Sequence, residues 1–281
     1  MNRLVFAALL LAPALAAAEP ENPDTIAAEK AAPASPKVNR FYFRVGVAHV
    51  HPFAQSNPLE LADVDGPASL AVMNGPIAGS GTTVSSATIP AAIIGYVLPV
   101  MHNRLSVETV LGLPFKVKFQ ATGTLRDQSI APTALGIPTG VMALGPELGE
   151  ATAAPPVVTL VYSLIPTGPV RPYVGAGAAV LIATGGKVTN PTLTQISQPE
   201  MTIAPAPGLA LQTGIEARLN SRFYARIDVK FIALMQANAE VHHIQVKTPD
   251  IPLFDSVEVG TAKMSVWVNP LIIQAGIGMD F

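Results

Sequence analysis

The 281-residue chain has no cysteine, little charge and, beyond residue 20, no long apolar run. Without cysteine there are no disulfides, thiolate metal sites or cysteine nucleophiles. Charged residues make up 13% of the chain, against roughly 25% in ordinary globular proteins. The net charge of −2 gives no basic footprint, so nucleic acid is not expected as a partner. A helical membrane span needs about 20 consecutive apolar residues, and none follows the N-terminal segment. A chain this apolar without spanning helices can still enter a membrane as a closed barrel, whose alternation hides its hydrophobicity.

Met1 to Arg3 supplies a positive start, residues 4–15 an apolar core, and Ala16 to Ala18 a small-residue cleavage site. Residues 1–18 therefore read as a signal peptide. Residues 19–38 are rich in Pro, Ala, Glu and Lys without periodicity and read as a flexible periplasmic leader. Residues 39–281 are expected to form the folded domain.

Eight segments there alternate with the period of a strand, at about 41–51, 84–98, 104–119, 154–164, 171–184, 207–219, 222–236 and 267–281. In the third, Leu105, Val107, Thr109, Leu111, Leu113, Phe115, Val117 and Phe119 share one face. In the last, Leu271, Ile273, Ala275, Ile277, Met279 and Phe281 share the outward face, with Gln274, Gly276, Gly278 and Asp280 opposite. A charge at Ile273 or Ile277 is expected to block assembly, and one at Gly276 to be better tolerated. Tight turns at 100–103, 167–170 and 220–221 alternate with long links at 52–83, 120–153, 185–206 and 237–261. An even strand count with short turns at one end and long loops at the other predicts an all-β, eight-stranded antiparallel transmembrane barrel. A soluble sandwich or lipocalin-like cup also has eight such strands. It would not leave a charge-poor face on every one of them.

The charged residues within strands fall almost entirely on the expected lumen parity. They include Lys116, Lys118 and Lys230. Arg44, Glu108, Glu216, Arg218, Arg226, Asp228 and Asp280 are expected to form a charged floor at the periplasmic end. Unpaired charge there would be costly, so a paired network is predicted. Above it the same parity turns apolar, with Val110, Leu181, Ile232, Leu234, Val266, Val268 and Ile272. That pattern suits a hydrophobic pocket or a solid packed interior. Pro114 on the third strand and Pro155 with Pro156 on the fourth lie at similar heights. Proline gives no ladder donor, so either the wall parts there as a side exit into lipid or the prolines only bend or end the strands. His49 with His51, and His242 with His243, lack a third ligand, so no metal is expected. No set of nucleophile, base and orienter suggests an enzyme, and no cofactor motif is present.

Leu113-Pro-Phe-Lys-Val-Lys-Phe119, Ala154-Pro-Pro-Val157, Arg171-Pro-Tyr-Val-Gly-Ala-Gly177 and Asn269-Pro-Leu-Ile-Ile-Gln-Ala-Gly276 resemble motifs of the OmpW family of outer-membrane proteins. They occur in family order from about residue 40 to 281. The family usually has Asp before the proline of the last strand, where this chain has Asn269. The resemblance implies an eight-stranded barrel, a hydrophobic lumen and passage of small hydrophobic molecules by lateral exit, with Pro114 and Pro155 or Pro156 at the exit. The function expected is passive uptake of such ligands. The alternative is a structural or adhesin-like surface barrel with a packed lumen. The expected location is the outer membrane of a Gram-negative bacterium, with both termini periplasmic. Its lipid and lipopolysaccharide are expected partners, and Phe281 is expected to be read by the barrel-assembly machinery.

Overall fold

The computed structural model describes residues 39–280. The expected signal peptide and leader, and Phe281, lie outside the described residues. Eight strands form the wall: β1 (Phe41–Pro52), β2 (Ala87–Val97), β3 (Leu105–Gly112), β4 (Val157–Ser163), β5 (Val170–Val188), β6 (Ala206–Arg218), β7 (Phe223–Ala233) and β8 (Pro270–Asp280). Each pairs antiparallel with its sequence neighbour. β8 returns to β1 from Tyr42↔Asp280 to Pro52↔Pro270, closing the barrel. The eight-stranded antiparallel barrel expected from the alternation is the one observed.

The long links differ from expectation. They carry strands as well as loops, and these strands build a second tier above the barrel. Ser80–Val84, Phe115–Gly123, Glu147–Ala154, the upper half of β5, Glu200–Ile203, Gln236–Lys247 and Ser256–Trp267 pair in that order, ending on the short segments Gln55–Ser56 and Glu60–Ala62. The two free ends of this curled sheet meet through serine hydroxyls. Ser56 Oγ accepts from the Thr82 amide at 2.7 Å, and Ser80 Oγ from the Leu59 amide at 2.8 Å. Inside the tier is an apolar core that includes Leu59, Leu61, Leu125, Leu148, Met201, Val241 and Met264.

Between the tiers lies a waist. Every wall strand but β5, which runs unbroken for 19 residues, is interrupted there. The breaks fall at Phe53–Ala54, Ser85–Ser86, Leu113–Pro114, Pro155–Pro156, Ala204–Pro205, Leu234–Met235 and Val268–Asn269. Proline accounts for several, since it withholds the ladder donor. At two others the backbone turns to positive φ, 60° at Leu234 and 32° at Asn269.

Several breaks add a residue, those at Leu113–Pro114 and Leu234–Met235 among them, and each addition reverses which side chains face inward. From Val110↔Val157 to Phe115↔Ala153 one strand advances five residues and its partner four. Hence Lys116 and Lys118, expected in the lumen, are exposed outside, and Phe115, Val117 and Phe119, expected on the outer face, point in. Lys116 pairs with Glu150 at 3.0 Å and Lys118 with Glu147 at 3.8 Å. The Lys116 hydrogen bond and charge hold the Glu150 carboxyl below the ordinary carboxylate range. From Phe231↔Leu271 to Gln236↔Trp267 the steps are again five and four. Leu234, expected in the lumen, is 63% exposed, and Met235 takes the buried place at 1%.

The outside divides at the same level. Below the waist it is apolar, with Phe43, Val45, Val47, Leu111, Leu160, Leu211, Ile227, Ile273 and Ile277 exposed. Above it are Lys116, Lys118, Glu147, Glu240 and Lys263. A tilted strand of the length of β1 rises about 25–30 Å, the height of a hydrocarbon core. The barrel therefore fits a bilayer and the second tier projects from it.

The tolerance expected at Gly276 relative to Ile273 and Ile277 meets a packing obstacle. Gly46 and Gly276 stand opposite each other. A Cβ at Gly276 would overlap the Val45 carbonyl oxygen and crowd the Gly46 Cα. Gly276→Ala is expected to weaken closure of β8 on β1 by about 1–3 kcal/mol, as overpacking does. A lowered urea midpoint for the folded electrophoretic form would show it, and an unchanged midpoint would mean the two backbones separate freely.

Candidate functional site: a charged floor beneath an apolar chamber

Inward alternation on neighbouring strands brings together residues far apart in sequence. Arg44 (β1), Glu108 (β3), Glu216 (β6), Arg226 and Asp228 (β7) converge in the lower lumen, with Arg171 (β5) and Lys230 (β7) completing the cluster. Glu108 is its hub. It accepts from Arg44 Nη1 at 2.6 Å, from Arg226 Nη1 and Nη2 at 2.9 and 3.1 Å, from Tyr42 OH at 2.8 Å and from Gln212 Nε2 at 3.1 Å. Asp228 accepts from Arg226 Nη2 at 2.8 Å, Tyr173 OH at 2.6 Å and Gln212 Nε2 at 2.8 Å, and pairs with Lys230. Glu216 binds Arg44 at 2.6 Å, Arg171 at 3.1 Å and Arg226 at 3.2 Å.

Three tyrosines complete this floor, and the sequence reading did not single them out. Tyr42, Tyr173 and Tyr224 each stand opposite a glycine on the next strand, Gly95, Gly214 and Gly278. A Cβ on any of these glycines would overlap the facing ring. The rings lie flat across the wall and meet the guanidinium groups, with Arg226 3.9 Å from the Tyr173 centroid and Arg44 4.1 Å from that of Tyr42. The available signal was inward tyrosine paired with inward glycine at matching heights. Finding it needs the register.

Two residues assigned to the floor stand apart. Arg218 and Asp280 form a partly exposed pair at 3.5 Å at the short-turn mouth. They sit at the strand ends, where the lumen opens to solvent, and touch none of the buried carboxylates.

Above Lys230 the lumen is apolar. A cavity of about 60 Å³ is lined at waist level by Leu181, Ile232, Val268 and Ile272, together with Phe115, Phe119, Met235 and Pro155. Of the other residues assigned to the pocket, Val110 packs on the adjacent cluster of Val157, Ala206 and Ile232. Val266 is buried beside Ala237 and Val268, and Leu234 lies outside. Phe115, Phe119 and Met235 were missed because the extra residues reverse their parity. Two smaller apolar cavities follow in the upper tier, of about 40 and 30 Å³. Ile130 and Val259 line both.

The wall beside the chamber is open in its hydrogen bonding. Between β3 and β4 no pair forms from Val110↔Val157 to Phe115↔Ala153, the span holding Pro114, Pro155 and Pro156. On the other side of Pro114 the gap is wider. Pairing stops at Ala91↔Gly112 and resumes where the Ser85 amide donates to the Lys118 carbonyl at 3.0 Å, with Pro90 and Pro114 between. Ser85, Val117 and Pro155, which flank these gaps, also line the chamber. His49 and His51 lie outside on β1, hydrogen-bonded with Thr88 and Ser86 at 2.8 and 3.0 Å.

The chain is similar to known outer-membrane proteins. The sequence profile of the OmpW family matches residues 39–281. PahQ, a dibenzothiophene metabolism operon protein of Pseudomonas aeruginosa, is 25% identical over 181 residues, covering 64% of this chain and 67% of PahQ. The crystal structure of the outer-membrane protein OprG of Pseudomonas aeruginosa superimposes with a TM-score of 0.65 at 20% identity, covering 87% of this chain and 96% of OprG. The solution structure of outer-membrane protein W of E. coli covers 88% of this chain and 100% of its own at 16% identity, with a TM-score of 0.46.

Proposed function

The chain belongs to the OmpW family, and from that premise we propose that it passes small hydrophobic molecules across the outer membrane, releasing them sideways at the waist. The observation that carries this reading is the apolar chamber lodged between a charged floor and a wall whose ladder is missing. Downward passage would take an apolar molecule through the buried ions, where each desolvated charge resists losing its partner. Sideways passage delivers it to lipid, with no energy source required, because each methylene gains about 0.8 kcal/mol on leaving water.

The way in would run through the upper tier. Leu70, Met73, Leu135, Ile137, Met142 and Leu253 are exposed on the segments around its outermost cavity. They offer an apolar landing surface beyond the charged outer face. In this reading the tier faces outside, the termini are periplasmic, and the waist lies among lipopolysaccharide and lipid headgroups. The operon named for PahQ suggests polycyclic aromatic ligands as the first to try. The cavities are narrow, so the chamber-lining side chains must shift as a ligand passes.

The lateral route is tested by restoring ladder donors with Pro114→Thr and Pro156→Thr together. Dibenzothiophene uptake by cells carrying the variant is expected to fall about threefold, a barrier rise of under 1 kcal/mol. Equal uptake at equal surface abundance would sink the side exit. The packed core of the upper tier favours a second reading, a structural surface barrel. It predicts no uptake above that of cells lacking the protein.

A further inference from the structure

The short-turn mouth of the barrel is basic. Arg40, Arg104, Arg218 and Arg222 stand there at turns and strand ends, and Asp280 is the carboxylate among them in the described residues. Directly above, the buried cluster is itself out of balance. Arg44, Arg171, Arg226 and Lys230 face Glu108, Glu216 and Asp228, one cation in excess. Arg171 is the cation at the edge of that cluster. Its Nη2 binds Glu216 at 3.1 Å, while its Nε is buried with no hydrogen-bond partner among the described residues. An open cleft of about 510 Å³ begins at this side chain, lined by Arg171, Arg218 and the turn Pro166, Thr167, Gly168 and Pro169.

We propose that this cleft binds an oxyanion of the phosphate class, held between the Arg171 and Arg218 guanidinium groups with the Thr167 hydroxyl beside it. An excess buried cation is costly until an anion reaches it, and paired guanidiniums match phosphate geometry through parallel N–H donors. The Arg218 contact to Asp280, at 3.5 Å and partly exposed, is weak enough for an incoming phosphate to displace. The anion completes the charge balance of the floor from below, without touching the apolar chamber. The site does not depend on the transport reading. Free phosphate and the headgroup of an anionic phospholipid offer the same chemistry.

The test is a titration of the purified full chain, in zwitterionic detergent at low salt, with inorganic phosphate followed by phosphorus NMR. Saturable binding is expected, about tenfold weaker in Arg218→Gln and tighter in Asp280→Asn, which removes the competing carboxylate. Arg171→Gln can fail to fold because it frees Glu216, so the partly exposed Arg218→Gln carries the decision, with heat-modifiable electrophoretic mobility confirming its barrel. Repeating the titration in phosphatidylglycerol and in phosphatidylcholine nanodiscs separates the sources. Loss of phosphate binding only with phosphatidylglycerol assigns the cleft to headgroups, and retention in both assigns it to the free anion. Binding that does not saturate, or that neither Arg218→Gln nor Asp280→Asn alters, overturns the proposal.

Discussion

Glu108→Ala is expected to destabilise the barrel by about 3–5 kcal/mol, the cost of stranding buried ions by removing their partner. Glu108 is 1% exposed and accepts from two arginines, a tyrosine and a glutamine. Without it Arg44 keeps only Glu216 among carboxylates, and Arg226 keeps Glu216 and Asp228. The buried excess of positive charge grows by one. Glu108→Gln keeps the shape and the tyrosine contact but not the charge, and should fall between the variant and the parent. Urea unfolding of the chain in lipid vesicles, read by electrophoretic mobility, measures the midpoint. Removing Arg226 as well, in Glu108→Ala with Arg226→Met, should recover part of the loss, because both charges then leave together. A change below about 1 kcal/mol, the range of exposed pairs, would mean the cluster is hydrated and is no floor.

Leu181→Trp is expected to cut dibenzothiophene uptake by about tenfold, equivalent to about 1.4 kcal/mol of added barrier. Leu181 lines the chamber and packs against both apolar clusters at the waist. An indole there fills a cavity of about 60 Å³. It should cost the fold only the 1–3 kcal/mol typical of overpacking, so the urea midpoint separates blockage from misfolding. Uptake equal to the parent's, with the variant folded, would remove the chamber from the route. Uptake already no higher than in cells lacking the protein would favour the structural barrel. The two variants probe different layers: one unbalances charge below Lys230, the other obstructs apolar space above it.

The alternation of residues 41–51 or 207–219 is a local property, and local properties survive folding. Each strand of the barrel was therefore legible, as was the inward parity of Arg44, Glu108, Arg226 and Asp228 within unbroken strands. Reading failed where the chain gains a residue. Leu105 to Phe119 looked like one uninterrupted apolar face, yet the extra residue at Leu113–Pro114 sends Lys116 and Lys118 outward and Phe115 and Phe119 inward. A clue was present in the two lysines assigned to a lumen already turning apolar. Leu234 failed for the same reason, without a proline to mark the break. The upper tier was missed although Ala237, Ala239 and Val241 alternate with Asn238 and Glu240, because long links on one side of a barrel invite a reading as loops.

What the sequence determined by itself is the barrel, through a two-residue period that each strand carries independently, and the sign and parity of the charges within it. Tertiary structure decided which of those charges meet. Glu108 and Arg226 are 118 residues apart, and only closure at a particular register sets them at one height. It also decided where the wall weakens, since a missing donor matters only opposite the strand that would have used it. The physical reason is one of range. Alternation is written in neighbouring residues, whereas register, the waist and the chamber arise from pairings between strands whose positions no single strand encodes.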